Sequence, residues 1–190
     1  MDSRMAPELA ALDEAYVAIE RDARALAEGL TEARAAWRAH PGSWSVAECV
    51  DHLATANRVY LAAMEPPAAR ALADGRRRRR PALPGLIGGW FVRTLEPPVK
   101  TKMKNPKTIT PRTSPPFSDA MAAFLASQQD VRRFLQTYAG LDLASVRFPN
   151  PFIPGVRFSL ATGLHVIAAH ERRHLWQAWN VRRGAEERAA

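Results

Sequence analysis

The sequence predicts an all-α protein, a four-helix bundle, and two observations carry that prediction. Apolar residues recur at alternating spacings of three and four through four long segments, which is the period of an amphipathic helix. No segment shows the sustained two-residue alternation of a strand. Composition agrees. Ala, the best helix former, is heavily used, and 47% of the residues are apolar, which marks a globular rather than a disordered chain. A chain of 190 residues is read as one domain, 1–190, long enough to bury a core. Four amphipathic helices of this size associate as a bundle.

The first helix is expected from about Pro7 to Ala39. Leu9, Leu12, Tyr16, Ile19, Ala23, Leu26, Leu30, Ala33 and Trp37 line one face of it. Gly29 is its weak point, and His40-Pro41-Gly42 stops it. The second opens at Ser45, which can form a capping box with Glu48, and ends near Met64 before Glu65-Pro66-Pro67. Residues 65–117 then form a long insertion between helices 2 and 3, rich in Pro and Arg. It holds 10 of the 15 prolines and the run Arg76–Arg80. Only residues 86–96 within it suit a short helix. Loops of this length are commonly lids, so the apolar 86–95 stretch, with Trp90 and Phe91, is expected to pack over the end of the bundle nearest the functional site. The third helix starts at Ser118 with Asp119 in its first turn. Met121, Phe124, Leu125, Gln128, Val131, Leu135 and Tyr138 mark its inner face, and Gly140 ends it. A proline-bounded stretch leads to the fourth helix, from Ser159 or Leu160 to Arg183, closed by Gly184 with a frayed tail after it.

Net charge and cysteine usage narrow the function classes. The formal charge is +8, but five charges belong to the Arg76–Arg80 run. No aromatic residue interleaves with that run to stack on bases, so it reads as a solvated loop and a nucleic-acid partner is not expected. Deleting 76–80 is expected to leave the fold intact. The single cysteine, Cys49, rules out an intrachain disulfide. The first residues carry acidic side chains and no secretory apolar core, and no apolar run approaches the ~20 residues that span a bilayer. The expectation is a soluble cytoplasmic protein with no membrane partner.

The stretch HERRH, 170–174, carries the chemistry. At 100° per residue, His170 and His174 stand about 40° apart at one edge of the apolar face of the fourth helix. Arg172, Arg173, Trp176 and His165 fall on the far side. Glu171 lands among the leucines, where a carboxylate needs a partner such as a Tyr, an Arg or a metal-bound water, unless the helix is rotated from this placement. On the second helix His52 sits at the rim of the core face. The spacing matches the H-E-x-x-H pattern of zinc proteases, but a protease is excluded by context. The extended protease pattern would place Gly and His where Gln177 and Asn180 stand, and no strand exists to bind a peptide. His40 precedes a turn and is expected in solvent, which leaves His52 as the best third partner for the pair. Inward histidines are more often hydrogen-bonded core residues than ligands, so spacing alone leaves both a core pair and a metal site open.

Two motifs resemble a known family. SWSVAECVDHLATANRVY (43–60) resembles the W-S, Glu and H-L signature of the DinB/YfiT-like four-helix metalloenzymes, and FSLATGLHVIAAHERRHLWQAW (158–179) resembles their last-helix signature, H-x-x-x-H followed by Q. The resemblance covers nearly the whole chain except the insertion. It implies an up-down-down-up bundle and a divalent-metal site, commonly nickel or zinc, held by His52, His170 and His174. It also implies a thiol-dependent transferase or isomerase using a low-molecular-weight thiol, and in many members a homodimer. Glu171 is not a fixed position of that pattern, so its role is not inherited.

Three neutral imidazoles would leave a coordination position open, as catalytic sites do, and a metal there lowers the pKa of a thiol or water. The favoured reading is a metal-dependent thiol transferase acting on a small molecule. The alternatives are a metal-dependent hydrolase, for which Glu171 is the candidate general base, and a non-enzymatic metal or ligand-binding module whose basic loop meets an acidic partner. Cys49 reads as a small buried hydrophobe and Glu48 as a cap. Tyr60 and Trp90 either line the pocket or pack.

Overall fold

The computed structural model describes residues 5–99 and 115–188. Among these, six helices and one two-stranded sheet form: α1 Pro7–Ala27, α2 Glu32–Ala35, α3 Val46–Ala73, α4 Leu86–Leu95, α5 Phe117–Thr137, β1 Arg147–Pro149, β2 Arg157–Ser159 and α6 Leu160–Glu187. The long helices α1, α3, α5 and α6 make the bundle. α3 packs against α5 and α6, and α1 packs against the same two. The core therefore lies between a pair of helices that each touch both members of the other pair.

The expected face of the first helix is buried as far as Leu26, whereas Leu30 and Trp37 are half-buried and Ala33 is exposed. Leu9, Leu12, Tyr16, Ile19, Ala23 and Leu26 of α1 are all buried, and the Tyr16 hydroxyl donates to the Leu164 carbonyl of α6 at 2.6 Å. The first helix is shorter than expected. Gly29 adopts φ +67°, a conformation that favours glycine, and turns the chain out of α1. Thr31 then caps α2 through the Arg34 N–H. Glu32 of α2 in turn accepts from the Phe117 and Ser118 backbone N–H groups, at 2.6 and 3.0 Å. Those contacts satisfy the exposed first donors of α5 and hold the Glu32 carboxyl below its ordinary value.

The second helix of the bundle is longer than expected. α3 begins at the Ser45–Glu48 capping box, with both reciprocal bonds formed. It does not stop at Met64 but runs through Pro66 and Pro67 to Ala73. Interior prolines remove backbone hydrogen bonds. Here burial of Ala68 and Ala71, and the bond from the Tyr138 hydroxyl to Glu65 at 2.5 Å, hold the helix together beyond them. Residues 65–73 thus belong to a helix and not to the insertion.

The last helix also overruns its expected end. α6 opens on the Ser159 cap and continues through Gly184, where the Trp37 ring lies 3.4 Å from the position a Cβ would take. Ala185 is buried and Arg182 pairs with Glu186, so the stretch after Gly184 is not frayed as far as Glu187. A small antiparallel hairpin also forms where the sequence shows no strand pattern. Phe148 pairs with Phe158 in register. Both rings are buried, so the hairpin is held by this one inward pair rather than by a pattern long enough to read.

The insertion departs most from expectation. α4 docks on α6 through Gly88, whose missing side chain makes room for Thr162, and through Phe91 against Phe158. Trp90 does not dock: it is 60% exposed. The arginine run is exposed but not free of the body. Arg78 bonds Glu8 at 2.6 Å, Arg80 bonds Asp142 at 3.3 Å, and the Arg78 N–H donates to the Gly140 carbonyl. The segment is stapled across the bundle end by one backbone bond and two ion pairs. The part of the insertion between 100 and 114 lies outside the described residues. No described helix is long and apolar enough to cross a membrane.

Candidate metal centre

The capping box fixes where α3 starts, and His52 follows on its second turn. His170 and His174 stand one turn apart on α6, the helix that packs against α3. The three side chains converge. One ligand-capable nitrogen from each lies within 4.8 Å of the others, and the Nε2 atoms of His52 and His170 are 3.2 Å apart. Ring centroids are separated by 4.5 to 5.0 Å. Two nitrogens each about 2.0–2.1 Å from one tetrahedral ion are themselves about 3.3 Å apart, so the observed spacing fits a shared divalent metal.

The surroundings fit as well. His52 and His174 are buried. His170 keeps some accessible surface but is enclosed by neighbouring atoms, and burial followed by the proximity of His52 and Arg173 pushes it down to about 3. Burial, then His170, His52 and Arg173, also pushes His174 well below its ordinary range. Neutral imidazoles are the form that binds metal. The His174 Nδ1–H donates to Gln177 Oε1 at 3.0 Å, which leaves the lone pair on Nε2, the usual work of a ligand's outer partner. The Trp44 ring lies against both His52 and His174, at 4.8 and 5.6 Å between centroids. It covers one side of the cluster with a surface that offers no competing acceptor.

Glu171 is fully buried and is not part of the cluster. Its Oε1 accepts from Asn57 Nδ2 at 2.7 Å, and the same amide reaches Ser127 at 3.0 Å. Among the described residues Oε2 has no hydrogen-bond partner, and neither does the buried amide of Gln128. Desolvation pushes the Glu171 carboxyl up to about 8. Asn57 opposes that rise, as does Gln128, which lies near it without a well-aligned bond. The partner found among the described residues is therefore an asparagine of α3, not a tyrosine or an arginine.

The remaining candidate residues divide clearly. Cys49 is buried and lies outside the cluster, with its thiol pushed up by desolvation. Glu48 is the cap and also accepts from Arg38 at 2.5 Å. Tyr60 packs on Phe148 and Phe152 and accepts from Asn150. His40 is exposed, and Trp90 is in solvent. Arg173, expected on the far side, is buried close enough to depress both histidines of α6. Trp44, Gln177 and Asn57 are the functional neighbours that sequence reasoning missed. Trp44 and Gln177 stand inside the two motifs as signature letters without a role. Nothing local marks Asn57.

Comparison with known proteins adds one finding. A family model described as the DinB superfamily matches residues 15–178, a span that contains all three histidines and every helix of the bundle in whole or part. No curated protein and no solved structure matches.

Proposed function

The chain belongs to the DinB superfamily, and from that premise we propose that it is a divalent-metal-dependent enzyme whose ion is held by His52, His170 and His174, and that it transfers a low-molecular-weight thiol to a small electrophile. The observation that carries this reading is the convergence of three buried imidazoles from α3 and α6, two of them with nitrogens 3.2 Å apart. Nickel or zinc suits three nitrogen donors. A metal so held leaves a position open and lowers the pKa of a thiol or water that reaches it.

The protein's own residues prepare the site. Burial keeps the imidazoles neutral, Gln177 fixes the tautomer of His174, and Trp44 walls the cluster off from water on one side. Glu171 is turned into a buried layer with Asn57 and so serves as a structural group, which favours thiol transfer over a hydrolysis that would need it as base. The up-down-down-up helix order, the homodimer and a cytoplasmic setting belong to the same proposal.

The test is metal content beside turnover. The purified protein is expected to hold about one divalent ion per chain, and His52→Ala and His170→Ala variants to lose most of it, because two imidazoles bind far more weakly than three. Loss of free thiol is then followed with an electrophile and a panel of small thiols. Metal retained in both variants would refute the site. Metal-dependent ester or amide cleavage without thiol consumption would replace transfer by hydrolysis.

A further inference from the structure

The insertion carries a surface that the metal centre does not use. Between the end of α3 and the start of α5, residues 74–116 contain eleven Lys and Arg against two Asp and Glu, a net of +9. The rest of the chain has sixteen against seventeen, so the whole positive charge of the protein resides there. In the described part, Arg76, Arg77, Arg79 and Arg93 are exposed and form no ion pair among the described residues.

Beside these arginines lies an apolar stripe in solvent. Leu86 is 95% exposed, Ile87 80% and Trp90 60%, with Leu83 just before the helix at 51%. At 100° per residue, Leu86, Trp90 and Arg93 fall within about 60° of one another on α4. Gly88 and Leu95, the residues buried toward the protein, fall on the opposite side. α4 is thus amphipathic in an unusual sense. One face is anchored on α6, and the other presents Leu, Ile and Trp outward next to cations that have no carboxylate among the described residues. A contiguous exposed apolar patch of this kind marks an interaction site.

We propose that the outer face of α4, together with Arg76, Arg77, Arg79 and Arg93, docks the protein on an anionic lipid bilayer surface. Charge and side-chain type together select this occupant. A second copy of the chain would meet this patch across a two-fold axis with its own patch, cation against cation. A nucleic acid would satisfy the arginines but leave Leu86 and Ile87 without a partner, and one tryptophan is a poor stacking platform. A bilayer surface answers both halves. Anionic headgroups face the arginines, and the aliphatic and indole side chains enter the boundary between headgroups and acyl chains. The expectation of no membrane partner rests on the lack of a spanning segment, which does not bear on lying upon the surface.

The experiment is vesicle flotation of the full chain. Vesicles of phosphatidylcholine with phosphatidylserine are expected to carry the protein, and vesicles of phosphatidylcholine alone to carry it about tenfold less. The triple variant Leu86→Ser, Ile87→Ser, Trp90→Ser alters only exposed side chains, so its circular dichroism should match that of the wild type while its binding falls about tenfold. Arg76→Ser, Arg77→Ser, Arg79→Ser should weaken binding independently. Undiminished binding by the apolar variant would overturn the proposal, since adsorption would then be charge alone. Absence of binding to either vesicle would overturn it too, as would an apolar variant that merely converts a dimer to a monomer, or duplex DNA bound in preference to vesicles.

Discussion

At the scale of single residues, spacing exposes the histidines but not what holds them. His170 and His174 share a helix, so their common face follows from four residues at 100° each, and the opening position of α3 places His52. Asn57, the partner of Glu171, lies 114 residues away from it in the chain, and no local pattern reports a contact of that range. Because Glu171 is hydrogen-bonded on one oxygen and, among the described residues, unpaired on the other, Glu171→Gln is expected to keep the fold and the metal. The pH dependence gives the sharper readout. Burial raises the carboxyl from 4.5 to about 8, so the folded state holds a proton that the unfolded state loses. Its contribution to stability is fully present below pH 4.5 and is lost as pH rises toward 8. His170, lowered from 6.5 to about 3, acts with the opposite sign: its contribution is present above 6.5 and lost as pH falls toward 3. In metal-free protein, thermal denaturation across about pH 4 to 9 should show the Tm of the wild type declining on the alkaline side and that of Glu171→Gln declining less. Parallel curves would show that Glu171 does not titrate there. A Gln variant with full metal, full stability and no turnover would restore Glu171 as a general base.

At the scale of elements, the four bundle helices are legible because each carries an apolar stripe at helical spacing, although the first turns of α3 and α6 are buried on all sides. Their ends are less so, because tertiary contacts decide them. Pro66 and Pro67 should end α3 by local rules, yet the buried alanines beyond them keep it helical. The hairpin is invisible in the sequence because its three-residue strands are too short to show a period and only the Phe148–Phe158 pair anchors them. Close approach between elements turns on two glycines of different effect. At Gly163 of α6, a Cβ would stand 2.8 Å from the Phe148 ring and 2.9 Å from the Met64 sulfur, so hairpin and α3 both press on that position. Gly163→Ala forces a shift in a buried aromatic ring and is expected to cost about 1–3 kcal/mol, measured by urea denaturation. At Gly88 the obstacle is Thr162, 2.6 Å away, on the joint between α4 and α6. Gly88→Ala should loosen α4 and open the insertion to limited proteolysis while leaving the bundle's own denaturation midpoint nearly unchanged. A Gly163→Ala protein as stable as the wild type would mean that the ring relaxes freely and that the packing around it is loose.

At the scale of the whole molecule, the proposed ligands couple parts of the chain that are far apart in sequence. His52 and His170 are separated by 118 residues, and their nitrogens meet only when α3 and α6 are packed together. An unfolded chain presents no such site, so an ion that binds there stabilises the folded state by mass action, about 2.7 kcal/mol at a free concentration one hundred times Kd. For a chain of this length each kcal/mol moves Tm by roughly 2–4 °C, so saturating nickel or zinc should raise the Tm of metal-free protein by roughly 5–11 °C. The same titration distinguishes direct ligands from their supports. His52→Ala should abolish most of the rise, because the link between the two helices is gone. Gln177→Ala removes only the acceptor that orients His174, so it should keep the full rise but require about 10- to 100-fold more metal to reach it. His40 is exposed and is not a member of the cluster, and its replacement by Ala should change neither. If His52→Ala responded to metal as fully as the wild type, the stabilising ion would be bound elsewhere, and the convergence of the three imidazoles would be a packed histidine core rather than a metal centre.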